Sequence, residues 1–208
     1  MIVIRNRYTG EIMLKIDSLV EADLRDVNLA CADLTGANLI DADLTRANLR
    51  EANLTDAILT DADLESADLR HADLRGANLR GANLSHANLY AANLVRVDLT
   101  DADLRGADLS GADMRDIDLT DANLEGANLI CANLRRANLR NTQGIHAFNL
   151  GRDVIIAHAS QVQIGCEKHS IYHWLEHYKE IGDNNEYTAK QIEIYGKTLE
   201  LIKLLFTE

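Results

Sequence analysis

The stretch ADLRDVNLACADLTGANLIDADLTRANLR, residues 22–50, decides the fold, because it repeats one phrase of five residues, Ala-(Asp/Asn)-Leu-X-X. The phrase continues to Asn141 without an insertion or a deletion. With leucine as its centre, it runs through Leu24, Leu29, Leu34 and every fifth residue to Leu139, which makes (139 − 24)/5 + 1 = 24 repeats. Met114 is the one substituted centre. Alanine stands two positions earlier except at Val27, Val97 and Ile117. The residue between is Asp at 11 positions, Asn at 12, and Ile58 once.

A period of five fits neither common element, since helix faces recur at 3.6 residues and strand faces at 2.0. On a helix, every fifth leucine would precess by about 140° and spiral round all sides. On a strand, odd spacing would send alternate leucines to opposite faces. The pattern works if each phrase makes one short extended side and then a corner. Ala and Leu then point inward, Asp/Asn points outward between them, and the last two residues turn. Repetition winds the chain into a filled coil whose turns stack at about 4.8 Å and share backbone hydrogen bonds. Each buried leucine contributes roughly 1.5–3 kcal/mol, so the leucines replace an aromatic core. The block's one aromatic, Tyr90, falls at an outward position.

On these residues the block resembles the pentapeptide-repeat proteins, the A(D/N)LXX family. The resemblance implies an all-β solenoid, a right-handed quadrilateral β-helix with four repeats per coil. Taken over, that gives 24/4 = 6 coils and a rod of about 29 Å.

Outside residues 22–141 the chain reads differently. Residues 1–21 predict an N-terminal cap, a β-hairpin of Ile2-Val3-Ile4 and Ile12-Met13-Leu14 turning at Tyr8-Thr9-Gly10. Such a hairpin would cover the exposed backbone at the end of the coil. Residues 142–208 predict a small, largely helical C-terminal module. Phe148-Asn149-Leu150 reads as one more repeat, out of register by one residue. Val154–Ala157 and Gln161–Ile164 read as short strands. Ser170 opens a helix through about Ile181, stopped by Gly182. Thr188-Ala189-Lys190-Gln191 has capping-box form and opens a second helix over 189–206. Its apolar positions Ile192, Tyr195, Leu199, Ile202 and Phe206 follow helical spacing. This module is expected to close the end of the coil, to build a homodimer or to bind a partner. Dimers of some family members form through C-terminal segments, so the resemblance favours the dimer.

The chain carries a net charge of −12. Residues 22–141 hold 21 acidic side chains and 12 basic ones, all arginine, or −9. So acidic a chain is a poor match for nucleic acid over a broad face. No apolar run approaches a membrane span, and the N-terminus MIVIRNRYTGE does not have the form of a signal peptide. Three cysteines fit a reducing compartment, and the expectation is a cytoplasmic protein. Cys31 and Cys131 lie five coils apart, about 24 Å, too far to pair, and read as free surface thiols.

Stacking residues 20 apart predicts columns on the outside of the rod. One column holds Asp41, Asp61, Gly81, Asp101 and Asp121. Across the adjoining corner run Asp43, Asp63, Asn83, Asp103 and Asn123, with Asp98 and Asp118 on the same side. Together they form an acidic ridge, weakest at the fourth coil. Asp and Asn belong to the phrase for turn reasons, but Asp41, Asp61, Asp101 and Asp121 stand at a position the phrase leaves open, which makes the ridge a partner-binding surface. A second side is basic, with Arg75, Arg96, Arg115, Arg135 and Arg136, then Arg80 and Arg140. A third side is less polar: Ala30, Tyr90, Ala91, Ile130, Cys31 and Cys131, interrupted by Arg50, Arg70 and His71.

No nucleotide loop or nucleophile elbow is present, and a convex rod offers no evident cleft. No enzymatic activity and no cofactor are expected. A weak metal-ligand pattern is Cys166, His169, His173 and His177, whose residue types and spacing suit zinc. No second cysteine pair supports it, and the expectation is no metal. The leading functional reading is therefore a non-enzymatic rod whose acidic face imitates duplex DNA, which carries one charge per about 1.7 Å of axis. Its partner would be a protein with a basic DNA-binding cleft. Proteins that this family resemblance brings in include inhibitors and protectors of DNA gyrase, for which DNA mimicry is the proposed mechanism. This chain departs from them in having no Phe centres and no loop between coils, so another DNA-handling enzyme, countered by a bacterial, phage or mobile-element protein, fits equally. The alternative is a scaffold whose C-terminal helical module binds the partner.

Overall fold

A computed structural model describes residues 1–149, 154–158, 161–164, 166–184 and 188–204. The chain divides into two compact units, Met1–Gly144 and Ile145–Glu208.

In the first unit, parallel bridges join each residue at the Asp/Asn position to the one 20 residues on, from Asp23↔Asp43 to Asn123↔Gln143. The chain thus returns to its own flank every four phrases and forms a β-solenoid. Two backbone bonds carry each contact. The N–H of Leu24 donates to the Asp43 carbonyl at 2.7 Å, and that of Asp43 donates to the Ala22 carbonyl at 2.9 Å. Leu24 through Leu134, with Met114 among them, are almost fully buried, and most of the alanines with them. Towards the last repeats Ala127, Ala132, Ala137 and Leu139 become half-buried.

Each corner is a tight turn in which the alanine N–H of one phrase donates to the leucine carbonyl of the phrase before, as from Ala52 to Leu49 at 3.0 Å. Its last residue has positive φ at every fifth position from Glu21 (55°) to Asn141 (56°). That geometry needs glycine or tolerates Asp and Asn best. Gly36, Gly76, Gly81, Gly106, Gly111 and Gly126 fall there, as do Asp41, Asp61, Asp101 and Asp121. The position therefore has a backbone preference of its own, which corrects the expectation that the phrase leaves it open.

The N-terminal hairpin forms as expected, from β1 (Ile2–Asn6) and β2 (Ile12–Ile16). Asn6 Oδ1 accepts from the N–H groups of Tyr8 (2.9 Å) and Thr9 (3.0 Å) and so holds the turn. β1 also pairs antiparallel with β3 (Ala32–Asp33), which fastens the hairpin to the first coil through Arg5↔Asp33 and Asn6↔Ala32. Ile4 and Leu19 are buried.

The second unit is a four-stranded antiparallel meander followed by two helices. Its strands are β4 (His146–Asn149), β5 (Val154–His158), β6 (Gln161–Ile164) and β7 (Glu167–Ser170), in that order in the sheet. Phe148 and Asn149 belong to β4, opposite Ile155 and Val154. They are not a further repeat, because the backbone there pairs with an antiparallel neighbour rather than with the chain 20 residues earlier. Leu150 lies outside the described residues. Helix α1 (Ile171–Asn184) runs through Gly182 rather than stopping at it. Helix α2 (Ala189–Leu204) opens on the expected capping box, in which Gln191 N–H donates to Thr188 Oγ1 (3.3 Å) and Thr188 N–H to Gln191 Oε1 (2.9 Å). Phe206 and the end predicted for this helix lie outside the described residues. Ile155, Val162, Ile164, Ile171, Trp174, Tyr195, Leu199 and Ile202 form the core.

Candidate functional site

The acidic side of the solenoid is built from two kinds of carboxylate. The first stands at the Asp/Asn position of the phrase. Asp43, Asp63, Asp98, Asp103 and Asp118 each accept, through Oδ1, the backbone N–H two residues on, at 2.9–3.0 Å. These residues are half-buried, and the bond fixes them beside the corner. Asp43 and Asp118 also accept from the Thr45 and Thr120 hydroxyls at 2.6 Å. Asp63 accepts from Asn83 Nδ2 at 3.0 Å and Asp118 from Asn138 Nδ2 at 3.1 Å, bonds that run between coils. Burial pushes the Asp118 carboxyl up, but the Thr120 and Asn138 donors outweigh it and hold the group below the usual range. The Arg105 guanidinium does the same for Asp103.

The second kind sits at the positive-φ corner. Asp41, Asp61, Asp101 and Asp121 are exposed. Successive members belong to successive coils, except where Gly81 intervenes. At Gly81 the Asp61 carboxylate turns into the space that a Cβ would take. Asn141 Nδ2 donates to Asp121 at 2.9 Å.

Ion pairing removes part of the charge. Arg80 reaches Asp101 at 3.3 Å, Arg105 meets Asp103, and Arg25 approaches Asp43 at 3.4 Å. Among the described residues no ion pair engages Asp41, Asp61, Asp63, Asp98, Asp118 or Asp121. The sequence reading missed Glu65 and Glu125, which are exposed and fall one corner position beyond Asp63 and Asn123. Their shared spacing of 60 residues, three coils, was the available signal. With Asn83, Ser85, His86, Arg105, Gly106 and Gly126 they line a shallow groove beside the ridge. The bridges stack Asp43, Asp63 and Asp103 on one ladder and Asp98 and Asp118 on the ladder before it, with Asp41, Asp61, Asp101 and Asp121 at the corner between.

The basic side is partly paired. Arg75 pairs with Asp73, Arg115 with Asp113 and Arg136 with Asp116, each at 2.7 Å. On the third side Tyr90 is 46% exposed and meets the His71 ring edge-on at 5.5 Å. Cys31 is a free, half-buried thiol, whereas Cys131 and Cys166 are not free. The reading of Cys131 as a free surface thiol is therefore withdrawn. Cys166, being engaged, is also unavailable as a metal ligand in this state. Among the described residues no group of three or more His, Cys, Asp or Glu is arranged to hold a metal ion. His169, His173 and His177 are brought together, but as stacked rings (centroids 4.2 and 4.4 Å apart) rather than as a convergent set. Among the described residues no helix is long and apolar enough to cross a membrane.

Comparison with known proteins places these features in a family. The description "Pentapeptide repeats" matches in eight copies, over residues 18–56, 57–94, 82–121 and 117–143. Among solved structures, HetL, a pentapeptide repeat protein involved in heterocyst differentiation regulation from the cyanobacterium Nostoc sp. strain PCC 7120, is 40% identical over 59% of this chain, with a TM-score of 0.38. Rfr23 from the cyanobacterium Cyanothece 51142 is 31% identical over 53% of this chain, with a TM-score of 0.29. The chain spans 62% of the length of each of these two. A trypsin-treated variant of QnrB1, a plasmid-mediated fluoroquinolone resistance protein, is 26% identical over 52% of this chain and 71% of its own, with a TM-score of 0.32. A comparison with curated proteins gives no match.

Proposed function

The chain belongs to the pentapeptide-repeat family, and from that premise we propose that it is a non-enzymatic binding rod whose acidic side takes the place of duplex DNA in the basic cleft of a DNA-handling protein. In this reading the rod has its family's form, a right-handed, four-sided β-helix of about six coils. DNA gyrase is one target that the family resemblance suggests, and another DNA-handling enzyme fits the same surface. The observation that carries the reading is the exposed corner column Asp41, Asp61, Asp101 and Asp121. Backbone geometry favours Asp there, but favours Gly and Asn at least as well. Choosing the charged option along one column adds repulsion that the fold does not require.

The test replaces those four aspartates by Asn, which suits positive φ and removes the charge alone. Wild type and variant are used to retrieve proteins from nuclease-treated bacterial lysate. The expected result is a DNA-binding enzyme held by the wild type only, released by duplex DNA and by salt. Equal retrieval by the variant, or partners that duplex DNA does not displace, would overturn the reading.

A second reading has its own observation. On α2, Ile194, Leu201 and Leu204 are 40%, 63% and 63% exposed, on the opposite side from the buried Ile192, Tyr195, Leu199 and Ile202. A scaffold that binds its partner, or a second copy, through this stripe would keep its partners in the four-aspartate variant and lose them in Leu201→Glu.

A further inference from the structure

Three of the five histidines of the C-terminal unit, His169, His173 and His177, have no role in the acidic surface. His169 stands on β7, and His173 and His177 stand one turn apart on α1. All three are half-buried. Trp174, next to His173 in the chain, is 2% exposed and belongs to the core, with its Nε1–H donating to the Val162 carbonyl at 2.7 Å. The imidazoles are thus left at the margin, where hydrophobic packing alone does not call for three of them.

The hydrogen bonds assign the tautomers of His177 and His169. His177 Nδ1 lies 3.0 Å from the His173 carbonyl oxygen. A carbonyl only accepts, so Nδ1 carries the proton and Nε2, at the tip of the ring, keeps its lone pair. His169 Nε2 lies 3.1 Å from Glu167 Oε2. A carboxylate also accepts, which leaves the lone pair of His169 on Nδ1. A ring whose N–H is held by a carbonyl or carboxylate while its other nitrogen stays bare is the arrangement that orients metal-ligating imidazoles. Residues four apart on a helix have Cβ atoms about 5–6 Å apart. Two Nε2 atoms can then converge on one cation at the roughly 2.0–2.1 Å that zinc requires.

We propose that His173 and His177 form a two-imidazole site for a borderline divalent cation of the zinc, nickel or copper class. The present rings are 4.4 Å apart with planes 20° apart, so they face each other. Ligation needs a tilt of the two facing rings that brings the Nε2 atoms together while His177 Nδ1–H stays on the His173 carbonyl, and water completes the coordination. His169, stacked on His173 at 4.2 Å, buttresses that ring. Imidazole suits these metals, whereas carboxylate-lined sites suit magnesium and calcium. The site is independent of the acidic surface and of any partner bound there.

The test titrates the full chain with Zn2+ alone by calorimetry and with Cu2+ alone by electron paramagnetic resonance. Variants are His173→Ala, His177→Ala, the double variant, and His86→Ala in the solenoid as control. Alanine is the best helix former, and circular dichroism checks that α1 persists. Expected are uptake of about one equivalent and hyperfine coupling to two nitrogens. Either single variant should weaken binding at least about tenfold, while His86→Ala leaves it unchanged. Equal uptake by the double variant, or no uptake at about 1 mM Zn2+, would overturn the site.

Discussion

The two units of this chain solve the same problem by opposite means. Residues 1–144 build a core from one side chain repeated, with Leu24 to Leu134 buried at the same point of every phrase and Met114 the one exception. Residues 145–208 build theirs from unlike parts, in which Trp174 and Tyr195 fill space between a meander and two helices. In the solenoid each layer touches only its neighbours, so stability is close to a sum over layers. In the C-terminal unit one large side chain joins several elements. Repetition distributes risk, and a mixed core concentrates it.

Trp174→Ala should therefore cause the largest loss, about 3–5 kcal/mol, because it removes a buried aromatic side chain and its hydrogen bond to the Val162 carbonyl. The helical ellipticity of α1 and α2 should melt far earlier while the strand signal of the solenoid holds. A common shift of both signals would break the comparison. Leu79→Ala comes next, at about 3 kcal/mol, since it opens a cavity in a layer with neighbours on both sides. Leu139→Ala, at a half-buried centre, should cost under about 1.5 kcal/mol by urea denaturation, because little packed volume is lost there. If the two leucine variants cost the same, the layers do not contribute in the graded way that burial implies.

This contrast also governs what could be read in the sequence. The solenoid was legible because its periodicity is its structure, and columns 20 residues apart follow from four phrases per return. What escaped notice was the special corner backbone, although Gly36, Gly76 and Gly81 already marked that position in frame. The constant residues of the phrase carry no trace of it; the signal lies in which residues the variable position accepts. In the C-terminal unit the buried strands β5 and β6 were visible as apolar runs. Strand β7, Glu-Lys-His-Ser, has no apolar alternation to reveal it, and β4 was hidden because Phe148-Asn149-Leu150 imitates the phrase. The histidine stack was legible as residue types and spacing, but its tautomers depend on Glu167 and on a carbonyl that no spacing shows.

The corner supplies a finer test. Gly81→Asp would complete the acidic column, and Asp tolerates positive φ; its Cβ meets only the Asp61 carboxylate, the movable end of an exposed side chain, which can swing aside. A cost of about 1 kcal/mol is expected. Gly126→Asp adds the same group where a Cβ meets only ordinary contacts, the nearest at 3.9 Å, and where Gly106 rather than an aspartate stands 20 residues earlier, so it should cost less by the repulsion alone. Equal melting shifts for the two would mean that backbone preference rather than charge leaves the gap in the column.

The smallest effect concerns protons. Burial raises the Asp118 carboxyl, but hydrogen bonds from the Thr120 hydroxyl and N–H and from Asn138 Nδ2 prevail and hold it below its ordinary value. A depressed carboxyl contributes stability that is fully present above the unfolded value of about 3.9. That contribution fades as pH falls through the lower folded value. Asp118→Asn keeps an oxygen for the turn and abolishes the titration. The variant should be slightly less stable than wild type at pH 7, with the gap in urea midpoint closing as pH falls below about 4. Equal urea midpoints for wild type and variant at every pH would mean that the hydrogen bonds around Asp118 contribute less to the rod than their geometry implies.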